Sequence, residues 1–410
     1  MNSAVITSPK ATAVEYSTHA MSGNYYVSVG YLRAFVTLLV VAHHAVLAYH
    51  PYAPPPPASL VSTPMWQIFP VVDPHKWSGW PLFVGFNDVF FMSLMFFLSG
   101  LFVQQSVERK GVGRFVRDRL LRLGLPFLIA AAVVSPLAYY PSYLQSASHT
   151  GIAGWWQQWH ALGNWPGGPA WFIWLLLAFD VVAAALFAFA PKVMAWVGRS
   201  VSGSAKRPVV LFLLLAAASA VTYIPMALHF SAERWSSFGP FAFQTSRLFH
   251  YFAYFLIAVG VGAIAMPHGL FARDGKLARR WPLWTNAMVL IYFALAAAFI
   301  TMISGVGKSL PWGPMLGILW VFSCAASCFG FMSFFSRFAT KRRAVFDSLT
   351  ENAYGMYLIH YAFVSWLQYA LLPASMSGFV KGVLVTAGAI VLSWGTTAAL
   401  RSIPAVARVI

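Results

Sequence analysis

Long stretches of apolar residues, separated by short polar segments, follow one another through the whole chain. A run of about 20 apolar residues is long enough to cross the hydrocarbon core of a bilayer as a helix. Ten such runs can be marked, at residues 31–49, 82–106, 122–140, 170–190, 208–228, 248–266, 283–303, 313–335, 353–372 and 379–400. This pattern predicts an all-α integral membrane protein, a bundle of about ten transmembrane helices.

The composition supports a membrane environment over water. Of the 410 residues, 59% are hydrophobic and only 9% are charged, which is too few charges for the surface of a soluble protein of this length. Residues 1–29 lack the apolar core of a signal peptide and are predicted to form a loose cytoplasmic tail. Residues 30–402 then form the ten-span domain, and residues 403–410 form a short cytoplasmic C-terminus.

The basic residues are distributed unequally between the two sides of the predicted bundle. If the chain starts on the inner side, 22 of the 27 Lys and Arg residues fall in inner segments. Such an excess is typical of cytoplasmic loops, and it predicts that both termini are cytoplasmic. The net charge of +17 therefore indicates topology, and we expect no nucleic-acid partner.

A few ionisable residues lie inside the predicted spans, where they are costly and hence candidates for function. Arg33 and His44 are eleven positions apart, close to three helical turns, so they share one face of the first span. His44 lies about 16 Å above Arg33, and His360 lies about 14 Å above Glu351 on another outward-running span.

These depths predict a polar centre in the middle of the bundle. Asp180 reaches a similar level, about 15 Å below the outer end of the fourth span. A desolvated His stays neutral at pH 7 and can accept a proton, as a general base must. The alternative is a His that only hydrogen-bonds a neighbouring helix, and this alternative is stronger for His43, which points about 100° away.

Two further clusters have both a structural and a functional interpretation. The outer segment 154–171 contains Trp155, Trp156 and Trp159, which suit either the aromatic belt of a membrane interface or a platform for sugar rings. Cys324 and Cys328 lie one turn apart and are interpreted as helix-packing residues, since a metal site needs further ligands. No metal site is predicted.

Five motifs in order resemble the acyltransferase family 3 membrane proteins. They are the R-x10-H pair Arg33 and His44, FFLSGLF at 96–102, RFVRDRLLRLGLPF at 114–127, PAWFIWLLL at 169–177 and ENAYGMYLIH at 351–360. The family's usual Asp before the first Arg is absent here, because Val29, Gly30 and Tyr31 stand in its place. The GLP sequence around Pro126 is similar to the branch that adds succinyl groups to periplasmic glucans.

The resemblance implies an O-acyltransferase in the bacterial cytoplasmic (inner) membrane, crossing it several times. It would move an acyl group of the acetyl or succinyl class from cytoplasmic acyl-CoA to a hydroxyl of a cell-envelope carbohydrate or glucan. Acyl-CoA would be a substrate, with no permanently bound cofactor. The oligomeric state is left open.

The candidate site residues follow from these motifs and from charge. Coenzyme A is polyanionic and the inner loop around residues 109–122 is the densest cationic one, with Arg suited to phosphate. The expected catalytic residues are His44, His360 and Arg33, with Tyr357 and Glu351 in support. The expected acyl-CoA-binding residues are Arg117, Arg119, Arg122, Ser99 and Gly100. The expected acceptor-binding residues are Trp155, Trp156, Trp159 and Asp180.

Other functional classes remain open at this point. A transporter or flippase for an acylated or sugar-linked intermediate would also suit polar residues at mid-depth, and a purely structural membrane subunit would not need them. The Arg–His pair on one face and the lack of paired carboxylates for proton coupling favour an enzyme. We expect His44 and His360 to line one cavity that is open towards the basic inner loops.

Overall fold

The computed structural model describes residues 9–62, 67–263 and 270–410, with side chains from Val27 onward. Its helices in the first half of the chain are α1 Pro9–Val46, α2 Trp80–Gly100, α3 Val103–Lys110, α4 Val112–Arg119, α5 Leu125–Ile129, α6 Ser135–Gln145, α7 Ile152–Ala161, α8 Trp171–Phe189 and α9 Pro191–Ala205. The later helices are α10 Pro208–Phe230, α11 Leu248–Gly262, α12 Lys276–Arg279, α13 Trp281–Ile303, α14 Trp312–Phe338, α15 Ala344–Ala370, α16 Gly378–Arg401 and α17 Pro404–Ala407.

The all-α membrane fold predicted from the apolar runs is confirmed. Within the described residues, eight stretches are helical, long and apolar enough to cross a membrane: Val27–Tyr49, Trp80–Lys110, Val112–Gln145, Gly168–Phe189, Pro208–Phe230, Trp281–Ile303, Trp312–Phe338 and Gly378–Arg401. The predicted spans 248–266 and 353–372 correspond to α11, which has 15 residues, and to α15, which has 27 residues and carries Asp347 and Glu351. The count of ten spans stays a prediction.

Parts of the two ends of the chain are helical. Residues 9–29, predicted to belong to a loose tail, form the first part of α1, and residues 1–8 lie outside the described residues. Residues 404–407 of the predicted C-terminal segment form the short helix α17.

α1 and α15 run side by side in the same direction. At one end, the Tyr31 hydroxyl donates to Asp347 Oδ1 at 2.9 Å, and in the middle the rings of His44 and His360 meet. We call the end of the bundle that carries Arg33, Arg122 and Arg401 the basic face, and the other end the opposite face. α2 contacts α1, α11 and α14, so most of its length is enclosed by other helices.

Two glycines allow α2 and α11 to approach closely. A Cβ atom on Gly100 would lie 2.4 Å from the carbonyl oxygen of Phe255, and a Cβ atom on Gly262 would lie 2.1 Å from that of Leu101. Small residues of this kind let helices pack backbone to backbone in membranes. The tight contact fixes α11 against the helix that borders the candidate site.

The third apolar stretch is a helix interrupted by prolines. Two segments within it, Leu120–Gly124 and Ala130–Val134, are π-helical. A proline donates no backbone hydrogen bond to the carbonyl four residues earlier, which is Arg122 for Pro126 and Leu137 for Pro141. Side chains of α15 reach both carbonyls.

These two side chains are Tyr354 and Trp366. The Tyr354 hydroxyl donates to the Arg122 carbonyl at 2.6 Å, and the Trp366 indole donates to the Leu137 carbonyl at 3.0 Å. In a membrane, such freed carbonyls must find a partner within the protein. Two backbone carbonyls of the third apolar stretch therefore depend on α15 for their hydrogen bonds.

On the opposite face, a buried ion pair connects the loop after α1 to α16. Lys381 Nζ lies 2.6 Å from Asp73 Oδ2, and both side chains are fully buried.

A short hairpin of β1 Trp235–Phe238 and β2 Phe241–Gln244 joins α10 to α11. The Trp174 indole of α8 donates to the Ala242 carbonyl of this hairpin at 2.8 Å.

Candidate active site

Two histidines from parallel helices meet in the middle of the bundle. Nε2 of His360 lies 3.1 Å from Nδ1 of His44, and the ring centroids are 5.1 Å apart. The His360 side chain is fully buried, whereas His44 is half-buried and has accessible surface. The equal depth inferred from helical rise therefore corresponds to direct contact.

The hydrogen bonds of the two rings determine which nitrogens carry hydrogens. Nδ1 of His44 lies 2.9 Å from the Val40 carbonyl oxygen, and Nδ1 of His360 lies 2.8 Å from the Tyr357 carbonyl oxygen. A carbonyl can only accept, so both Nδ1 atoms carry a hydrogen. The single Nδ1–H of His44 is then shared between the Val40 carbonyl and Nε2 of His360, and Nε2 of His44 keeps a free lone pair.

His43 points away from this pair. Its ring lies edge-on to that of His44 at 5.4 Å between centroids, and 5.2 Å from that of Phe91 on α2. Its Nδ1 atom is buried and has no hydrogen-bond partner among the described residues. His43 and His44 thus point in different directions around α1, as the helical period predicts.

A cavity of about 450 Å³ lies between the level of the histidine pair and the basic face. Its charged lining consists of Arg33, Arg119, Arg122, Arg401, Arg408 and Glu351. Asp180 is paired with Arg119 next to the lining, so five guanidinium groups face two carboxylates and the space keeps a net positive charge. The cavity suits an anionic ligand with several phosphate groups.

The sequence predicts that both histidines line this cavity, but their rings do not. The lining includes Thr37 and Tyr357, whereas the cavity ends before His44 and His360. Thr37 is seven residues from His44, which is about 10 Å along the helix. The Tyr357 ring lies 5.8 Å from that of His360, so this tyrosine stands between the cavity and the pair.

Most residues expected to bind the donor do line the cavity, with two exceptions. Ser99, Arg119 and Arg122 are in the lining. Arg117 is exposed and outside it, because it lies on another side of α4 from Arg119. Gly100 is also outside it, because its Cα faces the backbone of α11.

The residues expected to bind an acceptor are placed differently. Trp155 and Trp159 are 2% and 0% exposed, because they pack on Tyr139 and Tyr143 of α6, and their indole faces are not available for a sugar ring. Only Trp156, at 39% exposure, presents a free surface.

Asp180 is not near these tryptophans either. Its Oδ2 atom lies 3.1 Å from Nε of Arg119, and the carboxylate is buried. Asp180 was expected at the level of the histidines, but Phe172, two turns earlier on α8, already contacts Tyr357, so Asp180 lies nearer the basic face, beside an arginine of the basic cavity. Asp180 therefore neutralises a cation there.

The two supporting residues act through unexpected groups. Tyr357 orients His360 through its backbone carbonyl, while its hydroxyl donates to the Pro169 carbonyl. The Glu351 carbonyl accepts from Arg401, and the Glu351 side chain borders the cavity.

Sequence reasoning missed several residues around the pair. Gln368 on α15 donates to the carbonyls of both His44 and Ala45 at 2.9 Å. The sequence feature that could have identified Gln368 is its position, since it is a single amide about two turns beyond His360 in an apolar run. Arg401 and Arg408 were assigned only to topology, and no sequence signal connects them to Arg33.

A layer of aromatic rings covers the pair on the side away from the basic cavity. The Tyr361 ring lies edge-on to His44 at 5.0 Å and to Tyr139 at 5.5 Å. The Tyr139 ring in turn lies 6.2 Å from Trp159, and its hydroxyl donates to the Gln67 carbonyl at 3.0 Å. The buried tryptophans thus belong to the packing above the histidines.

Comparison with known proteins identifies the family. A family model described as an acyltransferase domain matches residues 26–398, which includes every helix that contributes to the histidine pair. No curated protein and no solved structure matches the chain. The match covers most of the sequence and agrees with the five motifs described above. The chain belongs to acyltransferase family 3, and it is a membrane acyltransferase.

Proposed function

We propose that this protein transfers an acyl group of the acetyl or succinyl class from cytoplasmic acyl-CoA to a hydroxyl of a cell-envelope carbohydrate or glucan. The observation that carries the proposal is the His44–His360 pair next to an arginine-lined cavity. The basic face is then the cytoplasmic side of a bacterial inner membrane.

The cavity supports acyl-CoA as the donor. Coenzyme A carries several phosphate charges, and Arg33, Arg119 and Arg122 line a space of about 450 Å³. Guanidinium groups bind phosphate through paired hydrogen bonds and stay charged when partly desolvated. The flexible pantetheine arm extends past Tyr357 and covers the remaining distance of about 10 Å between Thr37 and His44.

The histidine pair supports a base-assisted transfer. Nε2 of His44 takes the proton of the acceptor hydroxyl while the hydroxyl oxygen attacks the thioester carbonyl. The tetrahedral intermediate collapses, the carbon–sulfur bond breaks, and the CoA sulfur receives the proton from His44. The products are an ester and free CoA. His360 accepts a hydrogen bond from Nδ1–H of His44 and stabilises the imidazolium that forms in between.

The test is an assay of CoA release by the purified protein in lipid nanodiscs. Acetyl-CoA or succinyl-CoA is supplied with a β-glucan hexasaccharide, free thiol is followed with a colorimetric reagent, and the mass of the sugar is measured. Cys324 and Cys328 are buried, so the protein adds little thiol background. We expect CoA release that depends on the acceptor, and a sugar heavier by one acyl group.

A second assay separates an enzyme from a transporter. The protein is placed in sealed vesicles, and movement of labelled hexasaccharide is measured with and without acyl-CoA. Sugar movement without thioester cleavage would support the transporter. Absence of both product and CoA release with either donor would contradict the proposal.

A further inference from the structure

The packing of Trp155 and Trp159 leaves the acceptor without its expected platform, and α2 offers another position for it. Along this helix, Phe91 contacts His43, while Met95 and Ser99 line the arginine cavity. Asp88 lies almost one turn from Phe91 in the other direction. Asp88 and the basic cavity are thus on opposite sides of the histidine level.

Asp88 is held by an arginine that the protein buries. Arg247 donates from Nη2 to Asp88 Oδ2 at 2.6 Å and from Nη1 to the Asp88 carbonyl at 2.8 Å. Its guanidinium also stacks on Trp320, at 5.0 Å from the ring. The Arg247 side chain is 2% exposed, whereas that of Asp88 is 36% exposed. The cation is fixed and the carboxylate is presented to open space.

That space lies within the protein. Asp88 is about 12 Å from Trp80 at the start of α2, and its neighbours Asn87, Val89 and Phe90 are buried against surrounding helices. A charged pair that faced lipid at this depth would be costly. The exposed carboxylate therefore faces an internal space that water or a polar ligand can enter.

Polar groups without partners lie on the same side. Both amide atoms of Asn87 and Nδ1 of His43 are buried and have no hydrogen-bond partner in the part of the chain that the structure describes. Asn87 is four residues before Phe91, so it shares the face of α2 that meets His43. Buried polar groups are rarely unsatisfied in folded proteins, so these atoms indicate an absent ligand or water.

The Asp88–Arg247 pair lies close to the opposite face. The Ser246 hydroxyl, next to Arg247 in the chain, donates to the Ala232 carbonyl at 2.9 Å, in the loop between α10 and β1 that also carries Glu233. This contact places the Asp88–Arg247 pair near a loop of the opposite face. A ligand that arrives from that side meets Asp88 before it meets His44.

The chemistry of these groups suits a neutral compound with several hydroxyls. A carboxylate accepts hydrogen bonds from hydroxyls, and an amide and an imidazole can each donate or accept. Arg247 is already paired with Asp88, so these groups offer no unpaired cation to an anionic acceptor. We infer that Asp88, fixed by Arg247, binds hydroxyls of a neutral carbohydrate acceptor together with Asn87 and His43, an assignment that rests on the proposed function.

The test compares Asp88→Asn with Asp118→Asn in the CoA-release assay with the β-glucan hexasaccharide. Asp118 is a matched control, because it is a carboxylate paired with Lys110 at the other end of the bundle. We expect Asp88→Asn to raise the acceptor KM by about 10- to 100-fold, the effect of losing a hydrogen bond to a charged group. The acyl-CoA Kd should change by less than about twofold, because the donor cavity lies beyond the histidines.

A second variant covers the case in which Asp88→Asn fails to fold. That variant leaves Arg247 as a buried cation without a counter-charge, which is strongly destabilising. The double variant Asp88→Asn with Arg247→Gln removes both charges, and its acceptor KM should rise similarly.

The possible outcomes are distinct. An unchanged acceptor KM in a folded variant overturns the inference alone, and so does an equal loss of donor and acceptor binding, which indicates a structural ion pair. If the unsubstituted protein releases no CoA with any donor, the proposed function fails and the inference fails with it.

Discussion

The side-chain amide of Gln368 donates to the backbone carbonyl of His44 at 2.9 Å, and to that of Ala45 at the same distance. Gln368 lies eight residues beyond His360, and its contact joins α15 to the last turn of α1. Because His44 and His360 belong to different helices, their separation of 3.1 Å depends on how these helices are held together. Gln368 is a positioning residue for the pair.

Replacing Gln368 by Glu should lower kcat by about 10-fold, since a carboxylate cannot donate to the two carbonyls and small displacements of catalytic groups are costly. The KM values for acyl-CoA and acceptor should stay within about twofold. Steady-state kinetics measures both. Gln157→Glu, at an exposed position on α7, is the control. Equal changes in kcat and KM would point to a general loss of structure.

His44→Gln should reduce acyl transfer by about 10² to 10⁴, the usual effect of removing a general base. His43→Gln should leave kcat nearly unchanged and raise only the acceptor KM, because its ring points away from His360. Both variants should insert and unfold thermally like the parent protein. If His43→Gln were the inactive variant and His44→Gln the active one, the assignment of the base would be wrong.

Arg122→Gln should weaken acetyl-CoA binding by about 10-fold, because one charged contact to phosphate is lost. Arg117→Gln is the matched control, since this arginine lies five residues earlier and outside the cavity lining. Isothermal titration at two salt concentrations measures the effect. Donor affinity should fall with salt in the parent protein and fall less steeply in Arg122→Gln. An unchanged donor affinity in Arg122→Gln would assign this arginine to topology alone.

Both termini are predicted to be cytoplasmic, from the distribution of basic residues. A fluorescent protein that matures only in the cytoplasm, fused after Ile410, should therefore be bright. The control carries the same reporter inserted after Gly239, in the hairpin turn on the opposite face, and should be dark. A dark C-terminal fusion at normal expression would refute the topology.

The parts of this molecule that follow a period along one helix could be predicted from the sequence. The apolar runs gave the helices, and the spacing of Arg33 and His44 gave their shared face. Depth was also accessible, because helical rise is constant, and His44 and His360 were expected at one level before they were seen in contact.

The parts that depend on rotation between helices could not be predicted. Helical rise alone put Asp180 at the level of the histidines, whereas its carboxylate contacts Arg119 of the basic cavity. Trp155 and Trp159 have the composition of a sugar platform, yet their faces are occupied by Tyr139 and Tyr143. The pairing of Asp88 with Arg247 joins residues 159 positions apart, and no local pattern encodes it.

The dependence of the third apolar stretch on α15 has a consequence for how the protein is made. Tyr354 follows Arg122 by 232 residues, and Trp366 follows Leu137 by 229. At about 5 to 20 residues per second, the ribosome needs roughly 10 to 50 s to reach the donors after the carbonyls have been synthesised. During this interval the third apolar stretch is already in the translocon or the bilayer, and the Arg122 and Leu137 carbonyls lack their hydrogen-bond donors. Water, lipid headgroups or an insertion chaperone must then supply hydrogen bonds to them. The arginine-lined cavity is therefore among the last parts of the protein to close.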